Sequence, residues 1–157
     1  MLDRLLDAFA AEADTEWDAV DSTTIEAHPQ AAGTSHKKGG HEAGGLGQSR
    51  GGHISKLHVA ADALELPLRI IVSPGHRGDM LFGGDLIAGL TTQAVPADRA
   101  YDANHFRLAF AYEGAEAVIP SRPDRPSLPC DVRLLSKRNL VERLINRQKQ
   151  FRRVATR

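Results

Sequence analysis

Apolar residues in this 157-residue chain recur at helical spacing near both ends and at strand spacing between them. The opening MLDRLLDAFAAEA has apolar side chains at 1, 2, 5, 6, 9 and 10, which predicts a short amphipathic helix over 1–13. Near the other end, Leu140, Val141, Leu144, Ile145, Phe151 and Val154 form a stripe along 136–153. One side of that helix is expected on a core, with the rest left polar. Between the two, 16–27 (EWDAVDSTTIEA) is rich in Val, Thr, Trp and Ile and predicts a strand. Alternation sets Trp17, Ala19 and Asp21 on one face and Val20, Ser22 and Thr24 on the other. Two more strands, 53–60 and 66–72, flank the turn-like DALELP and predict a hairpin. SPGHRGD reads as a turn, and 80–90 as a helix weakened by Gly83 and Gly84. A short strand at 94–97 ends at Asp98, a helix covers 104–112, a strand covers 115–119, and a Pro-rich loop precedes the last helix. Three strands in a meander followed by alternating helices and strands predict an α/β fold, a mixed sheet flanked by helices.

The segment 28–52 interrupts this pattern with eight glycines among His, Lys and Ser, and is expected to be a flexible loop. His28, His36, His41, His53 and His58 in and beside it invite a zinc site, but such a loop supplies no fixed second shell. The plainer reading is a loop that contacts DNA through Lys37, Lys38 and Arg50. The single cysteine, Cys130, excludes an intrachain disulfide and a Cys-rich zinc site. No run approaches the eighteen or so apolar residues of a membrane span, and the acidic N-terminus is unlike a secretory signal, so the expected location is the cytoplasm, with no membrane partner.

Net charge is zero, yet the signs are segregated. Residues 1–26 carry eight acids and one base, whereas 133–157 carry nine Lys or Arg and the single acid Glu142. A local field of this kind attracts phosphates whatever the overall pI. Within the basic helix Arg138, Glu142 and Lys149 stack along roughly one face. The bland reading is a solvated helix in which Arg138 and Glu142 form an ordinary ion pair, worth about 0.3–0.5 kcal/mol. The sharper one makes Glu142 a metal-binding carboxylate flanked by cations that hold a nucleic-acid backbone. Two further acids occupy strand positions, where sites form in such sheets. Asp21 lies inside an apolar strand, a costly place unless it is paired or binds a cation. Asp98 ends a strand, where it could also pair with Arg99 or cap the next turn.

Four segments in this order, VDSTTIEAH, SRGGHISKLHVAADALELPLRIIVSPGHRGD, ADRAYDAN and RNLVERLINRQKQFRRVATR, resemble the DDE transposases of bacterial insertion sequences. The nearest group is insertion sequence five, related to insertion sequence four, and the match runs from about Trp17 to the C-terminus. The family signature Tyr, two residues, Arg, three residues, Glu, six residues, Lys is kept at Arg138, Glu142 and Lys149, while Leu135 takes the Tyr position. Asp98, which opens the Asp-x-Ala-Tyr segment, matches the family's middle acid better than Asp102 does. The resemblance implies an RNase H-like mixed sheet in which Asp21, Asp98 and Glu142 hold two divalent ions, Mg2+ with Mn2+ as a substitute. It also implies that Arg138 and Lys149 place the scissile strand, with Arg143, Arg147, Arg152 and Arg153 adding phosphate affinity. The implied activity is DNA cleavage and strand transfer at the ends of an insertion sequence. The partners are the terminal inverted repeats and the target DNA, and a homodimer is admitted. On this reading 1–15 is a helical remnant and 16–157 the catalytic domain. Relatives usually carry a DNA-recognition module in front and continue past the basic helix, so the alternative is a non-catalytic DNA-binding fragment.

Overall fold

The computed structural model describes residues 16–27, 45–50 and 52–151, with Leu6 and Ala8 as isolated positions ahead of them. The expected 1–13 helix, the 28–44 part of the glycine-rich loop and residues 152–157 fall outside the described residues. With them go the placements of His28, His36, Lys37, Lys38, His41, Arg152 and Arg153.

The long strands are those the alternation predicts. β1 (Ala19–Glu26) pairs antiparallel with β3 (Gly52–Ala61) in the register Asp21↔Val59, and β3 pairs antiparallel with β4 (Pro67–Pro74). A three-residue strand absent from the sequence reading, β2 (Gly47–Ser49), also joins β3, within the segment expected to be loop. On the other edge of β1, Val20 bridges Ala97 in parallel and the Asp18 amide donates to the Ala94 carbonyl at 3.1 Å. This brings in β5 (Ala94–Pro96), which pairs in parallel with β6 (Glu116–Val118). The spatial order β4, β3, β1, β5, β6, three antiparallel strands and then two parallel ones, is the RNase H-like arrangement. β1 is its centre.

Helices cover both faces. On one side lie α1 (Gly83–Ile87) and α2 (Asn104–Tyr112), whose Leu86, Ile87, Phe106 and Phe110 pack with Val20, Ala60, Val95 and Ile119. The expected 80–90 helix is split into a 3-10 turn, Asp79–Leu81, and the five-residue α1. Gly83 explains the weak sequence signal there, because α1 lies against α2 so closely that a Cβ would sit 1.7 Å from Cε2 of Phe106. On the opposite side lies α4 (Asn139–Lys149), preceded by the short α3 (Val132–Ser136). The predicted stripe holds over the helix itself, but Phe151, past the end of α4, is 70% exposed and Val154 lies outside the described residues. Within α4, Val141, Leu144 and Ile145 are buried, with Leu140 beside them, against Ala19, Ile25, Leu57 and Val59. Each such side chain, fully buried, contributes about 1.5–3 kcal/mol, enough to fix which face α4 presents to the sheet.

A buried aspartate ties down the Pro-rich loop. Asp102, 1% exposed, accepts from Arg107 Nε at 3.0 Å and from the Arg122 amide at 2.8 Å, with Arg125 Nη1 3.4 Å away. Burial alone would raise its pKa, but those donors and cations outweigh it and hold the carboxyl below the usual range. Asp102 is therefore a structural anchor. Asp62 likewise serves as a turn residue, accepting from the Leu64 and Leu66 amides at 3.0 and 2.8 Å.

Candidate active site

Parity along β1 decides where Asp21 points. It shares a face with Ala19 and Ile25, which pack under α4, so its carboxylate emerges beside that helix. Asp21 accepts from the Ser22 amide at 2.8 Å and its side chain is 15% exposed. Asp98 follows Ala97, the residue bridged to Val20, so both aspartates lie one residue beyond the same β1–β5 contact. Its side chain accepts from the Ala100 amide at 2.7 Å and caps the 3-10 turn Arg99–Tyr101. Glu142 stands in the first turn of α4, the end of a helix that favours an acid.

Arg138 connects these elements. It sits in the bend between α3 and α4, forms an i,i+4 ion pair with Glu142, and brings Nη1 to 3.7 Å from Oδ1 of Asp21. Glu142 is paired with Arg138, and the same guanidinium reaches Asp21 on the central strand, so the pair stands beside that carboxylate. Asp98, Arg138 and Glu142, with Arg99, Pro120, Val132, Leu135, Ser136 and Asn139, line an open cleft of about 490 Å3. The Asp21 pKa is pushed up to about 6, chiefly by burial and further by the charges of Asp98 and Glu142, against the Ser22 hydrogen bond and the Arg138 cation that lower it. Two carboxylates are therefore close enough to burden the third.

The donor set, two aspartates and a glutamate offering only oxygen, suits a hard divalent cation such as Mg2+. Among the described residues no three His, Cys, Asp or Glu stand at the separations of a formed metal site. The guanidinium of Arg138 occupies the approach between Asp21 and Glu142 and provides positive charge there.

The other basic residues named from the sequence divide by location. Arg143 and Arg147 both form ion pairs with Glu65, which sits in the β3–β4 turn in a left-handed conformation with φ 62°. Lys149 belongs to the last turn of α4, and Arg50 is exposed just after β2. Of the histidines, His58 lies on the face of β3 away from Asp21, fully buried, with Nε2 2.8 Å from Ser73 Oγ and its ring stacked near Phe82. Sequence reasoning grouped it with the loop histidines. What separates it is its place inside the apolar run LHVAA.

Residues 19–157 match the family described as "Transposase DDE domain". The chain belongs to this family. Over 106 residues it is 43% identical to a Brucella ovis protein named "Putative transposase for insertion sequence element IS6501", an overlap spanning 66% of this chain and 82% of that one. The family is thus the DDE transposases of insertion sequences. Among solved structures, the chain is similar to the catalytic core domain of BIV integrase, at 15% identity and a TM-score of 0.48 over 87% of this chain and 68% of that one. It is also similar to a chain in the simian T-cell lymphotropic virus intasome bound to PP2A regulatory subunit B56 gamma, at 16% identity and a TM-score of 0.48 over 87% and 39% of the two chains. Among the described residues, no helix is long and apolar enough to cross a membrane.

Proposed function

We propose that residues 16–157 form the catalytic domain of an insertion-sequence-five-type transposase, which cuts DNA at the element's ends and joins those ends to a target. Asp21, Asp98 and Glu142 are the metal ligands in this reading, taking two Mg2+ ions or Mn2+ in their place. The observation that carries it is that Asp98 and Glu142 line one cleft and that Arg138, at the border of that cleft, pairs with Glu142 and reaches Asp21 of the central strand. When bound, a metal pair supplies activation of the attacking oxygen and stabilisation of the leaving one in an in-line displacement. The chain's own contribution is placement. β1 and the end of β5 hold the aspartates in register, α4 carries Glu142 to them, and Arg138, in the bend before α4, and Lys149, in its last turn, place the scissile strand. Arg50 and the basic residues beyond the described ones, Lys37, Lys38, Arg152 and Arg153, add sequence-independent affinity for the inverted repeats and target. A homodimer would bring two such sites to two element ends.

The test is nicking of duplexes carrying the element's ends, with Mg2+ or Mn2+, by the wild type and by Asp21→Ala, Asp98→Ala and Glu142→Ala. Each substitution is expected to reduce nicking to background. Unchanged nicking in all three would overturn the assignment.

A second reading, a DNA-binding chain that does not cut, is favoured by Leu135 in the tyrosine position and by the guanidinium lodged between two of the acids. Calorimetric titration showing tight Mn2+ binding that requires Glu142 would remove it.

A further inference from the structure

Two arginine–carboxylate clusters in this molecule differ in kind. Around Asp102 the carboxylate is 1% exposed, with side-chain and backbone donors on both oxygens, and its arginines reach further to the Ile119 and Asp102 carbonyls. That cluster is a permanent fixture. At Arg138 the guanidinium is 26% exposed, its partner Glu142 is 42% exposed, and its other carboxylate lies at 3.7 Å. An ion pair this open to solvent contributes little to stability and is cheap to exchange. The cleft of about 490 Å3 that Arg138 borders opens beside it, lined also by Arg99 and Asn139.

We propose that Arg138 is an exchangeable counter-cation, holding Asp21 and Glu142 together before metal arrives and swinging into the adjoining cleft, toward a DNA phosphate, when a divalent ion takes its place. The proposal rests on the metal-site reading of the three acids and adds an order of events to it. A divalent ion at about 2.1 Å from carboxylate oxygens and a guanidinium hydrogen-bonded to those oxygens compete for the same lone pairs and repel each other. One positive charge is thereby exchanged for two or more among three acids, and the freed guanidinium offers a bidentate fork that fits a phosphate. Metal and DNA then favour each other reciprocally, because each stabilises the arrangement the other needs.

The experiment uses the full chain without DNA and titrates Mn2+ by electron paramagnetic resonance. Arg138→Gln is expected to bind Mn2+ about fivefold or more tightly than the wild type, a typical coupling between sites. Arg138→Lys, which keeps the charge and the fold, should fall between them, and Asp21→Asn should abolish binding in every background. In a second arm, Ca2+ is expected to tighten binding of a fluorescent duplex by the wild type and to lose that effect in Arg138→Gln. Mn2+ binding in Arg138→Gln that needs Asp21 but is no tighter than the wild type's would overturn the exchange and leave the metal site standing. Mn2+ binding indifferent to Asp21→Asn would overturn the metal site and the exchange together.

Discussion

At the scale of single residues, the molecule places several ionisable groups where burial works against them, and their surroundings set the consequence. His58 is enclosed between Ser73 and Phe82, and burial lowers its pKa to about 4, with Asp79 opposing that shift and Lys56 adding to it. The folded state therefore keeps the imidazole neutral where the unfolded chain protonates it near pH 6.5. Above that pH the group costs nothing. As pH falls from about 6.5 toward 4 the unfolded state binds a proton that the folded state refuses, so stability drops by up to about 1.4 kcal/mol per pH unit. His58→Gln keeps a hydrogen-bonding side chain without this titration. Urea unfolding at pH 7.5 and pH 5 is expected to show a larger loss in the wild type than in the variant. Equal losses would mean that His58 is protonated in the folded protein. Asp21 shifts in the opposite sense for a related reason, burial beside Asp98 and Glu142, and its cost is accepted where the chemistry is expected.

At the scale of elements, α4 determines whether the three acids meet. Its buried stripe seats the helix on β1 and β3, and Glu142 reaches the Asp21 face only while that seat holds. Ile145→Ala removes an apolar side chain that is 5% exposed and carries no charge, and should cost about 2–4 kcal/mol. Thermal melts read the loss directly. Mn2+ affinity should fall with it, and an unchanged affinity would show that Glu142 needs no help from the helix packing. The stripe was legible in the sequence because a period of 3.6 residues is written in Val141, Leu144 and Ile145. The parity of Asp21 was legible because β1 is long enough for alternation to show. Shorter elements were not. β2 has three residues and no apolar side chain beyond its glycine-rich surroundings, and the 136–153 helix in fact begins as α3 and bends at Lys137 and Arg138, where no proline or glycine marks a break. The bend matters, because it sets Arg138 within reach of both Asp21 and Glu142. No local pattern records that contact, which spans more than a hundred residues of sequence.

At the scale of the whole molecule, segregated charge is tempered by pairing across the fold. The basic character of the last helix suggests that all its arginines face DNA, yet Arg143 and Arg147 close on Glu65, a residue from the β3–β4 turn that looked in sequence like ordinary turn chemistry. Both arginines remain more than half exposed while Glu65 is 16% exposed, so the pairing neutralises one edge of a basic surface without burying it. Exposed pairs contribute little to stability, about 0–1 kcal/mol, and Glu65→Ala should leave the melting behaviour nearly unchanged. DNA binding should respond more strongly. Each added phosphate contact steepens the dependence of log affinity on log salt by about 0.9. Releasing two arginines is therefore expected to steepen that slope by up to about 2 and to tighten binding at low salt, as read by fluorescence anisotropy of a duplex over a salt series. Arg143→Ala and Arg147→Ala in the Glu65→Ala background should each return part of the gain. A slope that does not change on removing Glu65 would show that this end of α4 faces away from the nucleic acid, leaving phosphate contact to the Arg138 end of the helix.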